Sequence, residues 1–261
     1  MKKPDLMRFF FCFFGLLLAG GYYAGLAFGQ AQEVKDGNWR HHFGAGTTYT
    51  SGNNDTSSFG FNADSVRTDY DEKLELLGKV QLSRSDGKTT GEVGRVGARY
   101  QREISSHDVY GFGQAELLRD TAAKVRSRYT FANGGGIHLL RTDDDRFDVF
   151  GGIGYAQDRF TELNEVGGSL RERYSRFELL FGLESFHRFT ENTTLKQRMV
   201  VYPNLTNRGD YRAEFDVGLS VAMNKALSLT TNLAYRYNSD PGLGLDSQDL
   251  TLMTALTWQT N

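Results

Sequence analysis

Charged residues recur at every second position of several short segments, and this spacing has the clearest chemical meaning in the chain. Arg212, Glu214 and Asp216 alternate with apolar or small residues, and Arg126 and Arg128 repeat the pattern. Alternate residues of an extended chain share one face, so the charges of one segment point the same way. Opposite charges on neighbouring segments can form ion pairs, whereas rings of one sign would select a permeating solute. The sequence leaves both interpretations open and identifies no solute.

The charged positions expected on the inner face carry both signs. They are Arg95, Arg99, Glu116, Arg126, Arg128, Arg176, Glu178, Arg198, Arg212, Glu214 and Arg236. We expect these side chains to form a charge lattice that faces the interior of the fold.

Catalytic and metal-binding arrangements are not predicted. His138 shares an inner face with Arg126 and Arg128, whereas Ser127 faces the other way, so these residues make a poor nucleophile–base pair. Adjacent histidines such as His41 and His42 face opposite sides of a strand. We therefore expect no catalytic, cofactor-binding or metal residue, and no enzyme activity. The alternative is a barrel enzyme that acts on lipid or peptide, which would need serine, histidine and acid groups to converge at a lipid-facing rim.

The final segment shows most clearly which element must position these charges. Its apolar face carries Leu250, Leu252, Leu256 and Trp258, and its polar face carries Asp249, Thr251, Thr257 and Gln259. This is a period of two, typical of a strand with one face in hydrocarbon and the other in a polar interior.

Twelve such segments follow one another along the chain. Their predicted ranges are 39–51, 56–68, 73–85, 91–103, 109–119, 125–140, 147–160, 170–187, 194–203, 210–222, 227–237 and 248–259. The pattern predicts an all-β fold, a closed antiparallel up-and-down transmembrane β-barrel of about twelve strands. Helical spans are not predicted, because no stretch after the first residues approaches roughly 18 consecutive apolar residues.

The joins between segments alternate in length. Those at 68–71, 105–108, 142–145, 190–192 and 223–225 are short, whereas 161–169, 204–209 and 238–247 are longer. Short turns face the periplasm in outer-membrane barrels. We therefore expect a protein of the cell outer membrane with both termini in the periplasm, as an even strand number requires.

The first residues have the form of a secretory signal peptide. Lys2, Lys3 and Arg8 precede an apolar core, and small residues follow it. We predict a signal peptide at residues 1–31 and one outer-membrane β-barrel domain at residues 32–261. Cys12, the one cysteine, lies in the signal, so no disulfide is expected. The formal net charge of −2 gives no reason to expect a nucleic-acid partner.

Several turn and strand signatures resemble a known bacterial family. They are Trp39 with Gly44-Ala45-Gly46, the run 51–56, Gly134-Gly135-Gly136, the run 150–155, and the runs 202–205 and 210–212. They are similar to those of the salt-induced outer-membrane proteins, a family named for a domain of unknown function. The resemblance covers nearly all of the chain after the signal. From the alternating strands we expect a barrel in contact with outer-membrane lipid and with the barrel-insertion machinery, in a passive role as an envelope component or narrow pore. The resemblance carries over no catalytic residue, and this chain departs from the usual aromatic barrel ending by continuing past Trp258.

Overall fold

The computed structural model describes residues 35–260, apart from 51–55, 86–87 and 106–107. The predicted signal peptide, 1–31, lies outside the described residues. Twelve strands follow one another. They are β1 (Trp39–Thr50), β2 (Thr56–Thr68), β3 (Glu72–Ser85), β4 (Lys88–Ser105), β5 (Val109–Asp120), β6 (Val125–Arg141), β7 (Asp145–Val166), β8 (Ser169–Arg188), β9 (Thr193–Pro203), β10 (Tyr211–Ala222), β11 (Leu227–Asn238) and β12 (Gln248–Thr260).

The strands close into one antiparallel barrel. Each strand pairs with the next in sequence, and β1 pairs with β12 to complete the ring. In that closing pair Ala45 lies opposite Leu256 and Thr47 lies opposite Thr254. Closure leaves no free sheet edge, which is the condition for a β-sheet to lie in hydrocarbon. The all-β, twelve-stranded barrel predicted from the alternating segments is confirmed.

Residues 161–169 are predicted to form a long loop, but most of them belong to strands. β7 continues to Val166 and β8 begins at Ser169, joined by Gly167 and Gly168 at φ +59° and +68°. Two adjacent glycines can adopt these left-handed conformations and make a tight hairpin turn. The pairing of β7 with β8 shifts register between Arg159 and Asn164, so the end of the hairpin is offset from the rest of the sheet.

The outer surface of the barrel is apolar. Leu252 is 45% exposed on this surface, whereas its neighbour Thr251 is 2% exposed and faces inward, as the alternation predicted. Phe61, Val96, Phe131, Phe181, Leu219 and Leu256 are among the other large apolar side chains exposed on the outer faces of their strands. A contiguous apolar surface of this kind needs hydrocarbon around it. The protein is therefore a transmembrane barrel of the outer-membrane type.

In the part of the chain that the structure describes, no helix is long and apolar enough to cross a membrane.

Candidate functional site

An ion pair crosses the lumen of the barrel. Arg99 on β4 donates from Nη1 to Glu184 Oε1 at 2.7 Å, although β4 and β8 lie four strands apart in the ring. Arg198, on β9, also donates to Glu184. The Arg99 side chain is 2% exposed. Two arginines thus share one carboxylate and join facing walls of the barrel.

Aromatic rings surround this ion pair. The guanidinium carbon of Arg99 lies 4.9 Å from the ring centroid of Phe112 and 5.1 Å from that of Phe150. Arg198 lies 5.3 Å from the Phe150 ring centroid. The rings belong to a buried cluster of Tyr110, Phe112, Ala132, Phe150, Leu180, Val200 and Tyr202. Cation–π attraction strengthens when water is excluded, so the rings stabilise both arginines here. We call this cluster, with Arg99, Glu184 and Arg198, the septum.

Two glycines, Gly136 and Gly182, make room for the septum. A Cβ atom on Gly136 would lie 2.3 Å from the ring of Tyr110, and one on Gly182 would lie 2.3 Å from the ring of Phe150. Gly136 lies within β6 and Gly182 lies within β8, where the absence of a side chain allows close packing. The aromatic rings can reach into the lumen because the strands beside them have no side chain at these positions.

A second group of ion pairs extends along the lumen wall. Asp158 accepts hydrogen bonds from Arg128 and Arg176, at 2.8 Å from each. Arg176 Nε also donates to Glu178 at 2.7 Å, and Arg212 Nη2 donates to Glu178 at 2.8 Å. Three arginines and two carboxylates therefore form one connected network that links β6, β7, β8 and β10. Multiple partners of this kind compensate the cost of burying the charges.

A third group of ion pairs involves β4, β5, β10 and β11. Arg95 Nη2 is 2.6 Å from Glu116 Oε2, between the adjacent strands β4 and β5. Arg236 Nη2 is 2.6 Å from Asp216 Oδ1, and its Nε is 3.7 Å from Glu214 Oε2. Opposite charges on adjacent strands thus pair as the sequence allowed.

Ten of the eleven charged positions expected on the inner face take part in these three groups of described residues. Arg126 does not. Its side chain is exposed, because the pairing of β6 with β7 shifts register between Val125 and Ser127 and Val125 takes the inner position. A β-bulge of this kind changes which side a residue faces. The expectation that Arg126 joins the inner charge lattice is therefore wrong.

Two carboxylates that hold the networks together were missed from the sequence. Asp158 and Glu184 each bond to two arginines. Both lie an even number of residues from inner positions on their own strands, Asp158 from Ala156 and Glu184 from Glu178. The alternation already used for the other strands would have placed them in the lumen.

The septum separates two cavities in the lumen. One, of about 110 Å³, lies toward the short turns and is lined by Glu75, His138 and Lys196 among others. The other, of about 150 Å³, lies toward the long loops and includes Arg95 and Asp249 in its wall. Neither cavity is lined by Arg99, Phe112 or Phe150, which lie between them. The lumen is thus interrupted rather than continuous.

The long-loop cavity has a second closure above it. The tip of the β7–β8 hairpin reaches the β11–β12 loop, where Gly167 N–H donates to Asp240 Oδ2 at 2.6 Å. Leu243 N–H donates to Asn164 Oδ1 at 3.1 Å, and Asn164 is 1% exposed. Because β9 and β10 separate these two hairpins in the ring, the contact extends over the mouth of the barrel. We call this hairpin tip and its contacts the lid.

His138 has no free ring nitrogen for base catalysis. Its Nδ1 lies 2.7 Å from Asp148 Oδ1, and its Nε2 lies 3.2 Å from Glu103 Oε1. A general base needs one nitrogen directed at the group it deprotonates. His138 is placed instead to join carboxylates of β4 and β7.

A second histidine, His41, forms a hydrogen bond with a serine, and this contact was not predicted from the sequence. His41 Nδ1 lies 2.8 Å from Ser65 Oγ on the outer face of β1 and β2. No described carboxylate bonds to His41 to orient it, and the nearby backbone N–H groups belong to the ladder between strands. A hydrolase needs both an orienting group and oxyanion donors, so the pair is better explained as mutual satisfaction of two polar side chains. Within the described residues, no group of histidine, cysteine and acidic residues could hold a metal ion.

Sequence and structure comparisons agree with this architecture. The model of a family described as "Protein of unknown function, DUF481" matches residues 43–259, and the chain belongs to that family. The expected resemblance to a family of unknown function is confirmed, whereas a link to salt induction stays a prediction. No curated protein matches the chain.

Two solved structures share the fold at low identity. The NanC porin has a TM-score of 0.53 at 10% identity, covering 84% of this chain and 100% of that one. An outer membrane channel from Pseudomonas putida F1 has the same TM-score and identity, with 90% of this chain and 100% of that one covered. These similarities show a shared barrel fold and assign no solute to the chain.

Proposed function

We propose that this DUF481 protein is a passive outer-membrane barrel, an envelope component or narrow pore, whose lumen is closed in the conformation described. We do not propose an enzyme. Both ring nitrogens of His138 lie within hydrogen-bond distance of carboxylates, and no described acid orients His41 in the His41–Ser65 pair. The membrane lipid is the main partner of the barrel. A solute that crosses it would be small, because charged side chains occupy much of the lumen of a twelve-stranded barrel.

The barrel is proposed to lie with its short turns and both termini in the periplasm. β1 begins and β12 ends at the same side as the short turns after β2, β6 and β10. The long β9–β10 and β11–β12 loops and the lid lie at the other end. This distribution matches barrels inserted from the periplasm. Folding there would require the export signal proposed at residues 1–31 and the insertion machinery.

One observation carries the passive, closed role. The Arg99–Glu184 ion pair joins facing walls of the barrel and is enclosed by aromatic rings. A conducting path lined by charge would keep its charges in contact with water. Here the Arg99 side chain is only 2% exposed. The charged residues therefore act first to brace and close the barrel.

Planar-bilayer conductance of the purified protein tests this proposal. We expect very low conductance from the wild-type protein and a clear increase from Arg99→Ala, because shortening Arg99 removes the bond to Glu184 and the filling between Phe112 and Phe150. Arg102→Ala is the matched control. Arg102 lies on the same strand, but its side chain is 67% exposed and its Nε comes no closer than 4.0 Å to Glu72 Oε1. This substitution should leave conductance unchanged.

Folding of each variant is checked by the difference in gel mobility between unboiled and boiled samples, because a closed barrel without free edges resists detergent until heated. A wild-type conductance that is large and insensitive to Arg99→Ala would contradict the closed lumen. Equal mobility with and without boiling would contradict the membrane barrel itself.

A further inference from the structure

One amide faces the membrane in the middle of the apolar outer surface. Asn133 is exposed on the outer face of β6. On the same face Tyr129 and Phe131 lie toward one end of the strand, and Ile137 and Leu139 lie toward the other, all of them exposed. Asn133 is thus flanked by apolar side chains on both sides along the strand and lies near the centre of the membrane-facing stretch. Hydrocarbon offers no hydrogen bond to an amide at this depth.

Three pairs of polar residues on the outer faces of other strands satisfy each other. Gln157 donates to Ser175 at 3.0 Å, Ser185 donates to Gln197 at 3.1 Å, and the hydroxyls of Thr231 and Thr254 lie 3.3 Å apart. No hydrogen bond joins the Asn133 side chain to another described residue. An amide has two donors and an acceptor, so Asn133 needs a partner from outside its own chain.

A groove surrounds Asn133. It has a volume of about 560 Å³ and its lining is mainly apolar. Gly113, directly opposite Asn133 on β5, has nothing within 4 Å of the place where a Cβ would stand. Ala115 continues the low floor, and the rings of Phe131 and Phe177 form part of the rim. Small residues allow another membrane surface to approach closely.

We infer that this groove is the interface with a second copy of the same chain, and that the Asn133 amides of the two copies hydrogen-bond to each other. A lipid chain could fill the groove but could not satisfy the amide. A second copy supplies an amide whose donors and acceptor complement those of the first. This inference requires the barrel to lie in a membrane, but it does not require the barrel to conduct.

Symmetry makes the pairing geometrically simple. Copies inserted in the same direction can be related by a two-fold axis along the membrane normal, and a residue close to that axis meets itself. Asn133 at the base of a groove with exposed Phe131 beside it suits this arrangement, because the ring of each copy can pack into the groove of the other. The interface is then self-complementary in both shape and hydrogen bonding.

Cysteine cross-linking tests the inference. In a full-length Cys12→Ser background, Asn133→Cys introduces a single thiol at the proposed axis, and oxidation in lipid vesicles should join two copies by a disulfide. Leu252→Cys is the matched control, since Leu252 is also exposed in the membrane-facing surface but lies on β12, across the barrel from β6. It should remain monomeric. Cross-linking of the two variants to the same extent would overturn the inference, because random collision would then explain both.

Sedimentation of the cysteine-free protein in detergent gives an independent measurement. We expect a dimer, and we expect Asn133→Leu to weaken its association by about tenfold, the effect of losing roughly 1.4 kcal/mol of interaction. Asn133→Leu should retain the heat-dependent gel mobility of a folded barrel. A wild-type monomer, with or without bound lipid, would overturn the inference, and so would a higher oligomer in which Asn133→Cys fails to cross-link.

Discussion

The ring of Tyr110 lies against Gly136 so closely that the strand beside it has room for no side chain. A Cβ on Gly136 would be 2.3 Å from the ring and 2.5 Å from the hydroxyl oxygen. Tyr110 is completely buried, and its ring centroid lies 4.8 Å from that of His138. Tyr110 therefore cannot move aside without disturbing the septum and the hydrogen bonds of His138 together.

We expect Gly136→Ala to destabilise the barrel by about 1–3 kcal/mol, because the added methyl group overlaps a ring that has no free space. Gly94→Ala is the control, since nothing lies within 4 Å of a Cβ at Gly94. It should change the free energy of unfolding by less than about 0.5 kcal/mol. Urea titration of the protein refolded in lipid vesicles measures both. Equal destabilisation would show that Tyr110 is not held in the observed position.

Much of the fold could be predicted from the alternation of residues alone. The final strand illustrates the reason: Leu252 and Thr251 face lipid and lumen, as their chemistry requires, so strand phase follows directly from residue type. Pairing of each strand with its neighbour then follows from the short turns between them. The period of two is enforced by the backbone, and it needs no knowledge of distant contacts.

The structure differs from the sequence prediction where the backbone departs from strict two-residue alternation. Arg126 faces outward because of a β-bulge, and the β7–β8 hairpin is offset at another register shift. A bulge depends on the pairing of two strands, so it leaves no mark in the alternation of one strand. The septum was also beyond sequence reasoning, because the Arg99–Glu184 contact joins strands that are not neighbours.

The membrane-facing side of β12 gives a direct test of the strand phase. We expect Leu252→Arg to cost about 2–4 kcal/mol, because it places a charge in the hydrocarbon near the middle of the strand. Leu252→Phe should be nearly neutral, since the side chain is already 45% exposed on the outer surface and apolar substitution there preserves its environment. The free energy of unfolding in vesicles measures the difference. A tolerated arginine would show that Leu252 does not contact hydrocarbon.

The lid is expected to control access to the long-loop cavity. The septum blocks the other side of this cavity, so a reagent must pass the contacts between the β7–β8 hairpin and the β11–β12 loop. Leu118 lines the cavity, and Leu118→Cys in a Cys12→Ser background should react slowly with a small thiol reagent. Adding Asp240→Ala and Asn164→Ala removes the side-chain acceptors for Gly167 N–H and Leu243 N–H, and we expect labelling to become at least about tenfold faster.

The control for this measurement is a cysteine outside the lid. Arg208 is exposed in the β9–β10 loop, so Arg208→Cys should react rapidly whether or not the lid contacts are present. Faster labelling at Leu118→Cys alone would then report opening of the lid rather than loosening of the whole barrel. If Leu118→Cys reacts as rapidly as Arg208→Cys with the lid contacts intact, the hairpin does not close the mouth. The septum would then be the one barrier across the lumen among the described residues.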